Sequence, residues 1–328
     1  MANSKSLSRR TQTNNMMLFT GRAHPELAQQ VAELLDVGLV PTTAYDFANG
    51  EIYVRFDESV RGCDAFVIQS HAAPINEAIM EQLIMIDALK RASAKRITVI
   101  LPFYGYARQD KKHLGREPIS ARLMADLFLA AGADRLMTVD LHTAQIQGFF
   151  DGPVDHLLAM PILTRYVRKK YGKKPLAVVS PDAGRIKVAE QWARQFDNAP
   201  LAFIHKTRDV TKANVSKANR VVGEVEGRTC ILVDDLIDTG GTICQAAEAL
   251  MNDGAAEVII VSTHAVFSGE AVNRLKDSVA AEVIVTNTLP LEEDKYFDKL
   301  TVLSIAPLLA QAVSAVFEDG SVTSLFAE

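Results

Sequence analysis

Cysteine is scarce in this chain, with three residues, Cys63, Cys230 and Cys244, among 328. Because the number is odd and no C-x-x-C pair occurs, the sequence argues against a disulfide framework or a zinc site. Reduced thiols are typical of the cytoplasm, which is the location we expect. The roughly 18 consecutive apolar residues that a membrane span needs are also missing, so no membrane association is predicted. Residues 1–16 lack the apolar segment of a signal peptide and are expected to form a disordered tail.

Charge of one sign is not in large excess either. The formal net charge is −5, charged residues make up 23% and hydrophobic residues 48%. This balance is typical of a folded globular protein, and a net negative charge gives no general attraction for nucleic acid or acidic membranes. We therefore expect no nucleic-acid partner. A ligand that carries phosphate would have to be bound by local basic groups, backbone amides or a metal ion.

Aliphatic runs alternate with stretches of helical periodicity over most of the chain. The clearest pairs are residues 65–70 with 76–92, 96–103 with 119–131, and 176–182 with 186–196. Continuous apolar strands separated by helices are typical of parallel sheets covered on both faces. The sequence therefore predicts an α/β fold, in which ligands bind beyond the carboxyl ends of the strands.

Two segments of the chain resemble each other. Residues 132–142 (GADRLMTVDLH) are similar to residues 254–264 (GAAEVIIVSTH), and each segment follows a predicted helix that itself follows a predicted strand. The pattern predicts two similar lobes that join near residues 153–161. The same pattern is common by chance in α/β proteins. Internal duplication and chance similarity therefore both stay open as interpretations.

The clearest chemistry lies in residues 231–243 (ILVDDLIDTGGTI). An apolar strand ends in Asp234 and Asp235, and Asp238 precedes residues 239–242, which lead into a helix. Glycines and threonines at a helix amino terminus present N–H and hydroxyl groups to a phosphate, whereas carboxylates accept hydrogen bonds from sugar hydroxyls or hold magnesium through water. A phosphorylated sugar would satisfy both parts. The alternative is an ordinary strand-to-helix turn in which Asp238 caps the helix.

This segment resembles the phosphoribosyl pyrophosphate signature of type I phosphoribosyltransferase-like folds. Other stretches are similar to ribose-phosphate pyrophosphokinases, and in detail to bacterial, actinobacterial-like class I members: residues 47–55, 103–112, 116–123 and 139–156. The resemblance extends over about residues 17–326. It implies two tandem type I phosphoribosyltransferase-like domains, each a mostly parallel sheet flanked by helices, over residues 17–160 and 161–328.

The family resemblance implies an activity. Members transfer the pyrophosphoryl group of ATP to the C1 hydroxyl of ribose 5-phosphate, which gives phosphoribosyl pyrophosphate and AMP for nucleotide, histidine, tryptophan and NAD biosynthesis. It further implies magnesium, with two ions per site, a homohexamer, inhibition by ADP and activation by inorganic phosphate. Crowded negative charge is the main obstacle to such a transfer, so positioning, magnesium and cationic side chains are expected to supply most of the catalysis.

The resemblance also implies the site residues. The catalytic positions match Lys206 and Arg208, in a flexible loop at about residues 205–220. The ATP-binding positions match Phe47, Asn49, Gly50, Glu51, Arg108, Gln109, Asp110 and His142, of which Asn49, Gly50 and Glu51 match an adenine-side loop donated by a neighbouring subunit. The ribose 5-phosphate positions match Arg208, Asp234, Asp235, Asp238, Thr239, Gly240, Gly241 and Thr242. The magnesium positions match His142 and Asp182. The allosteric positions match Arg61, Gln147, Ser321, Thr323 and Phe326.

Several of these positions also have plain structural interpretations. Residues 49–51 would suit a hairpin turn, residues 108–112 (RQDKK) a solvated loop, and His142 a structural role. Lys206 and Arg208 would then belong to an exposed basic loop without a function.

Three positions depart from the family pattern. His113 stands where many relatives have Asp, which puts an acidic contact there in doubt. Arg185 stands where a second glycine usually follows SPD-x-G, and its side chain could narrow the sugar pocket. Ala144 replaces a hydroxyl residue of some relatives, so nucleotide inhibition could differ.

Two other functions stay open. A nucleobase phosphoribosyltransferase of the same fold would explain residues 231–243 but not residues 103–112 or 139–156. A non-catalytic regulatory subunit associated with the synthetase would be expected to have damaged catalytic positions, whereas the matched residues of this chain are intact.

Overall fold

Two sheets form the framework of the chain in the computed structural model, which describes residues 15–207 and 218–326. The strands of the first half are β1 (Met16–Thr20), β2 (Thr42–Asp46), β3 (Ile52–Phe56), β4 (Asp64–Ile68), β5 (Arg96–Leu101), β6 (Arg135–Val139) and β7 (Val154–Leu157). Those of the second half are β8 (Leu176–Ser180), β9 (Leu201–Thr207), β10 (Ala218–Val222), β11 (Thr229–Ile237), β12 (Glu257–Ala265), β13 (Glu282–Thr286) and β14 (Leu300–Leu303).

Each helix except α8, which follows β14, lies between two strands that are successive along the chain. They are α1 (Pro25–Leu34), α2 (Ile75–Arg91), α3 (Ser120–Ala131), α4 (Met160–Tyr171), α5 (Ile186–Arg194), α6 (Gly241–Asn252), α7 (Ala271–Asp277) and α8 (Ala306–Phe317). All three strand-and-helix pairs predicted from the sequence are present, with boundaries that differ by at most two residues. No helix within residues 15–207 and 218–326 has the length and apolar character to cross a membrane.

The first sheet has the order β1-β4-β5-β6-β7, and all of its neighbouring strands are parallel. The second has the order β10-β9-β8-β11-β12-β13-β14, and it is parallel except where β10 pairs with β9. Strands β2 and β3 form a separate antiparallel hairpin. The predicted α/β class with mostly parallel sheets is confirmed.

The two halves share a topology, but the sequence comparison aligned them in the wrong register. Each half begins with one strand, continues with a hairpin, and then adds four parallel strands, so β1 corresponds to β8 and β4–β7 correspond to β11–β14. Residues 132–142 contain β6, whose counterpart is β13, whereas residues 254–264 contain β12. The similarity was shifted by one strand because a glycine between a helix and an apolar strand occurs at several crossovers, at Gly132, Gly172 and Gly254, and does not identify a particular strand.

A shared core fixes the two halves against each other. Leu18 and Phe66 of the first sheet and Val178 and Ile231 of the second are fully buried in one cluster, and α1 packs against α8. Burying one such side chain contributes about 1.5–3 kcal/mol. The boundary predicted at residues 160–161 falls at the start of α4, and the division into two domains there stays a prediction.

The carboxyl ends of strands from both halves meet across this core. Thr263 Oγ1 donates to Asp140 Oδ2 at 2.6 Å, and His264 Nε2 contacts the Asp140 carbonyl at 3.0 Å. Ser70 Oγ donates to the Thr288 carbonyl at 2.5 Å. The strand ends at which the sequence predicted ligands therefore border a common region.

Candidate active site

A cavity of about 510 Å³ lies between the two halves. Its walls come from the segments that follow β5 and β6 and from the ends of β11 and β12. The lining side chains used below are Phe103, Tyr106, Arg108, Gln109, Asp140, His142, Asp235, Asp238 and His264. The first half supplies the aromatic residues and Arg108 together with Asp140 and His142, and the second half supplies Asp235, Asp238 and His264.

A second cavity of about 250 Å³ adjoins the first and shares residues with it. Both are lined by Arg108, His142, Asp235, Leu236 and Asp238. The smaller cavity is also lined by Asp182, Arg185, Asp234, Thr239, Gly240 and Thr242. The residues that the sequence assigned to ATP and those that it assigned to ribose 5-phosphate thus line neighbouring spaces, with the exceptions given below.

The phosphate-type loop forms as the sequence predicted at the end of β11. Gly240 has φ +74°, a left-handed conformation that glycine adopts without strain, and Gly241 begins α6. This turn places the amino terminus of the 12-residue α6 beside the smaller cavity, where its backbone N–H groups and positive dipole end favour an anion. Arg274 of α7 braces the loop, because its Nη1 donates to the Thr239 carbonyl at 2.7 Å.

Asp234 and Asp235, the acid pair, are close together and mostly buried. Burial and the neighbouring Asp235 carboxylate raise the pKa of Asp234 to about 8. Burial also acts to raise the pKa of Asp235, but the hydrogen bond with His142 and the charge of Arg185 outweigh it, so this pKa is lowered. Because the pKa of Asp234 is raised and that of Asp235 is lowered, Asp235 is the member of the pair that carries the negative charge.

Arg185 contacts both members of the acid pair. Its Nε lies 3.1 Å from Asp234 Oδ1, and its Nη2 lies 2.8 Å from Asp235 Oδ1. The sequence suggested only that this side chain could narrow the sugar pocket. The structure places it on the wall of the smaller cavity with its charge directed at the acids.

His142 is oriented by Asp235. The His142 Nδ1 atom lies 2.7 Å from Asp235 Oδ2 and 2.9 Å from Arg185 Nη2. A ring nitrogen cannot donate and accept at once, and the carboxylate requires a donor, so Nδ1 carries a proton that it donates to Asp235. When the ring is neutral, this tautomer leaves Nε2 as a lone-pair acceptor for a cation or a donor.

Magnesium fits the site only with help from a ligand. Within the described ranges no three His, Cys, Asp or Glu side chains come together as a metal cluster. His142 and Asp182 both line the smaller cavity, and Asp182 Oδ1 accepts the Gly184 N–H at 2.9 Å. Magnesium in proteins commonly has one or two protein ligands and completes its shell with phosphate oxygens and water, so this sparse donor set suits a metal that arrives with a nucleotide.

Arg108 links the two loops that meet at the shared wall. Its Nη1 lies 2.6 Å from Asp238 Oδ2, although the Arg108 side chain is 58% exposed. Gln109 lines the larger cavity and accepts a hydrogen bond from Ser120 Oγ at 2.6 Å. An exposed pair of this kind contributes little to stability, which leaves both charges available to ligands.

Asp110 does not line either cavity. It is buried, accepts a hydrogen bond from Thr143 Oγ1 at 2.6 Å and a longer one from Gln145 Nε2 at 3.4 Å. These contacts join the loop after β5 to the turn after β6. Its predicted ATP contact stays a prediction, and the contacts seen are those of a residue that holds the loop.

The predicted adenine loop lies apart from both cavities, at the exposed turn between β2 and β3. Phe47 packs edge-on against Tyr45 and Tyr53, and the Glu51 N–H donates to Asn49 Oδ1 at 3.2 Å. Gly50 has φ +87°, as the turn requires. Within this chain the loop does not reach the site, and its action on a neighbouring subunit stays a prediction.

The predicted catalytic and allosteric residues are only partly described. Lys206 belongs to β9, and Arg208 lies outside the described residues. Arg61 Nη1 donates to Ser93 Oγ at 3.5 Å, and Gln147 Nε2 donates to the Ala144 carbonyl at 3.0 Å. The other allosteric positions are Ser321, which accepts from Ser324 Oγ, and Thr323 and Phe326, which bound a short 3-10 turn. Among the described residues, no hydrogen bond or ion pair directly joins Arg61, Gln147 and residues 321–326 to one another.

Sequence reasoning missed two arginine contacts at the site. The roles of Arg185 with the acid pair and of Arg274 with the Thr239 carbonyl depend on which strands and helices become neighbours. No signal in the sequence marked Arg274, whereas Arg185 was marked only as a departure from a family pattern.

Comparisons with known proteins agree with this architecture. The model of the N-terminal domain of ribose phosphate pyrophosphokinase matches residues 16–132, and that of the phosphoribosyl synthetase-associated domain matches residues 193–327. A ribose-phosphate pyrophosphokinase of Streptomyces avermitilis is 66% identical over 97% of this chain and 98% of its own length. One of Mycobacterium tuberculosis is 66% identical over 95% and 96%. The crystal structure of phosphoribosylpyrophosphate synthetase from Mycobacterium smegmatis superposes with a TM-score of 0.90 at 66% identity, and covers 94% of this chain and 100% of that one.

Proposed function

The chain belongs to the ribose-phosphate pyrophosphokinase family, and we propose that its adjoining cavities bind ATP and ribose 5-phosphate for transfer of the pyrophosphoryl group. The oxygen of the C1 hydroxyl forms a bond to the β-phosphorus of ATP, the bond between that phosphorus and the α-phosphate oxygen breaks, and the hydroxyl proton leaves. The products are phosphoribosyl pyrophosphate and AMP. The observation that carries this assignment is the shared wall, where Arg108, His142 and Asp238 face both cavities.

Ribose 5-phosphate suits the smaller cavity. Its phosphate matches the loop at Thr239, Gly240 and Thr242, where the amino terminus of α6 supplies N–H donors and a favourable dipole. Its hydroxyls match the carboxylates of Asp234 and Asp238. This orientation directs C1 toward the larger cavity.

ATP suits the larger cavity. Arg108 and His142 lie on the wall nearest the sugar, so they would contact the phosphates, and Phe103 and Tyr106 offer apolar surface further along. The binding site for the adenine would be completed by a neighbouring subunit of a homohexamer, through Phe47, Asn49, Gly50 and Glu51. Binding of ATP would require Arg108 to exchange Asp238 for phosphate oxygens.

Magnesium would be held by His142 Nε2 and Asp182 together with phosphate oxygens, with two ions per site. When bound, it neutralises phosphate charge that would otherwise repel the incoming hydroxyl. The chain's own contribution is orientation: Asp235 fixes the His142 ring so that Nε2 is the available atom.

Lys206 and Arg208 would supply positive charge to the pyrophosphoryl group as it passes between the two oxygens. Exclusion of water from the site would prevent water from accepting the same group. ADP and inorganic phosphate would act at a separate site formed by Arg61, Gln147 and the C-terminal turn of neighbouring subunits.

An assay of the nucleotide product tests the assignment. Purified protein with magnesium, ATP and ribose 5-phosphate should release AMP in equal amount to phosphoribosyl pyrophosphate. Release of ADP, or no release of AMP, would reject pyrophosphoryl transfer. A nucleobase phosphoribosyltransferase would instead consume phosphoribosyl pyrophosphate when a nucleobase is added, and a regulatory subunit would do neither.

A further inference from the structure

Arg185 occupies a place where a cation would otherwise be needed. The guanidinium contacts Oδ1 of both Asp234 and Asp235, at 3.1 Å and 2.8 Å, and the Arg185 side chain is only 17% exposed. Two neighbouring carboxylates with little access to water repel each other unless a positive group compensates them. Arg185 meets this need from within the chain.

The chain places Arg185 there through the sheet topology. Strand β8 pairs with β11 in parallel, so the segment after β8 lies beside the acid pair at the end of β11. Asp182 accepts the Gly184 N–H and thereby forms the short turn that ends at Arg185, and α5 follows at once. The guanidinium is therefore held between a structured turn and a strand end.

The four carboxylate oxygens of the acid pair can be followed one by one. Asp234 Oδ1 receives Arg185 Nε and the Asp235 N–H, the latter at 2.9 Å. Asp235 Oδ1 receives Arg185 Nη2, and Asp235 Oδ2 receives His142 Nδ1. Among the described residues, Asp234 Oδ2 is the one carboxylate oxygen of the pair that neither Arg185 nor His142 contacts. One oxygen of the pair thus stays available on the wall of the smaller cavity.

We propose that Arg185 is a positioning residue that neutralises the acid pair in place of a divalent cation and leaves Asp234 Oδ2 as the oxygen of the pair that binds a sugar hydroxyl. Asp235 then orients His142 and Arg185 and does not bind the sugar. The identification of the sugar as ribose 5-phosphate rests on the proposed function. The competition between guanidinium and metal does not, since it concerns the protein without substrates.

Manganese provides a direct probe of this competition. Bound Mn²⁺ would be counted by electron paramagnetic resonance on the full chain without substrates. Arg185→Gln should bind one Mn²⁺ more per chain than the wild type, because two uncompensated carboxylates are suitable oxygen ligands for a divalent cation. Mg²⁺ should displace the additional ion. Equal numbers of bound ions in the two proteins would overturn the proposal.

The matched control is Arg91→Gln, which removes the same charge from an exposed pair with Asp87 at 2.6 Å. It should bind Mn²⁺ as the wild type does. If it too gains an ion, the effect is one of net charge and the proposal fails.

Arg185→Lys keeps the test decisive if Arg185→Gln does not fold. An ammonium retains the charge but lacks the planar fork that reaches both Oδ1 atoms. This variant should bind the wild-type number of Mn²⁺ ions and raise KM for ribose 5-phosphate several-fold, with KM for ATP nearly unchanged. An additional ion, or equal changes in both KM values, would contradict the proposal.

The proposed function and the role of Arg185 can be rejected separately. If the wild type releases no AMP, the proposed function fails while the ion counts still test Arg185. If the wild type releases AMP and Arg185→Gln gains no ion, only the role of Arg185 is rejected.

Discussion

The loops after β4 and β11 hold the same place in the two halves, yet they differ in every property that matters for binding. The first, residues 69–74, is closed: Ser70 and His71 are buried. The second, residues 234–242, lines both cavities with carboxylates and a helix amino terminus. A shared topology therefore provides two equivalent positions, of which only one has the chemistry of a phosphate and sugar site.

The closed loop supports the opposite wall of the larger cavity. His71 Nδ1 accepts the Gly105 N–H at 2.8 Å, and Nε2 donates to Gln82 Oε1 at 3.0 Å, a pattern that requires the neutral ring. Burial lowers the pKa of His71 to about 4. Gly105 lies three residues before Arg108. The first half thus uses this position to hold the loop that carries Arg108.

The hairpin of β2 and β3 follows β1 in the first half, and the hairpin of β9 and β10 follows β8 in the second. A substitution in the second hairpin is expected to have the largest effect on activity. The first carries the predicted adenine loop and the second carries Lys206. Lys206→Ala should lower kcat by about 100–1,000-fold, because removing one preformed donor to transition-state charge has that order of effect. KM should change little, and AMP release at steady state would show both.

The matched variant in the other hairpin is Asn49→Ala, which should raise KM for ATP more than it lowers kcat. If Lys206→Ala instead changed KM alone, the proposed division between a catalytic hairpin and a binding hairpin would be wrong.

The acid pair offers the next largest effect. Asp234→Asn should weaken ribose 5-phosphate binding by about 10–100-fold, since an amide in place of the carboxyl group leaves a largely buried hydrogen-bonding group unmatched, which costs about 1–3 kcal/mol. ATP binding should persist, because Asp234 lines the smaller cavity and not the larger. Calorimetry with each ligand would measure the two affinities. Asp235→Asn is the comparison variant, and loss of ATP binding in Asp234→Asn would contradict the assignment.

Sequence reasoning identified the chemistry of the open loop but not the supporting role of the closed one, for a physical reason. Acids, glycines and threonines within residues 231–243 form a local pattern whose chemistry can be stated without the fold. His71 acts through Gln82 and Gly105, and Arg185 acts through a neighbouring strand, so their roles appear only once strands and helices are in contact. The alternation of strands and helices was likewise local, and it gave the fold class correctly.

The alignment of residues 132–142 with residues 254–264 was wrong for the same reason. Glycine before an apolar strand reports a helix-to-strand turn, which every crossover contains, whereas strand order depends on pairing between distant segments. The position of the adenine loop outside both cavities also lay beyond sequence patterns, because it depends on where the hairpin of β2 and β3 projects.

Acid should weaken the closed loop. The folded pKa of His71, about 4, lies below the ordinary value of 6.5, so the unfolded chain binds the proton more readily. The stability that the neutral ring contributes is therefore present above pH 6.5 and is lost as the pH falls toward 4, by about 2 kcal/mol at pH 5. Between pH 7 and pH 5, the free energy of unfolding should therefore fall by about 2 kcal/mol less in His71→Leu than in the wild type. Urea unfolding of both proteins at the two pH values would measure it, and identical losses would contradict it.

His71→Leu should also affect one substrate more than the other. It leaves the buried Gly105 N–H without its acceptor, and the loop that carries Arg108 would shift to compensate. KM for ATP should rise about tenfold, or about 1.4 kcal/mol, while KM for ribose 5-phosphate stays within twofold. Tyr104→Phe is the control, because it removes a buried hydrogen bond to the Ala121 carbonyl in the same region. If KM for ATP rises comparably in Tyr104→Phe, the effect comes from a general loss of packing in this region and not from the contact between His71 and Gly105.

Gly240 gives the smallest effect and the most direct test of the open loop. Its φ of +74° is unfavourable for alanine by about 1–2 kcal/mol, and an added Cβ would meet the Ala271 carbonyl oxygen at 3.4 Å, so Gly240→Ala should relax the turn that begins α6. KM for ribose 5-phosphate should rise about fivefold, near 1 kcal/mol, with kcat nearly unchanged. Gly227 has φ +66° with nothing within 4 Å of an added Cβ, so Gly227→Ala imposes similar strain away from both cavities. If both variants raise KM equally, backbone strain and not the geometry of the phosphate loop controls the affinity. If only Gly240→Ala does, the left-handed residue is what aims the amino terminus of α6 at the ligand.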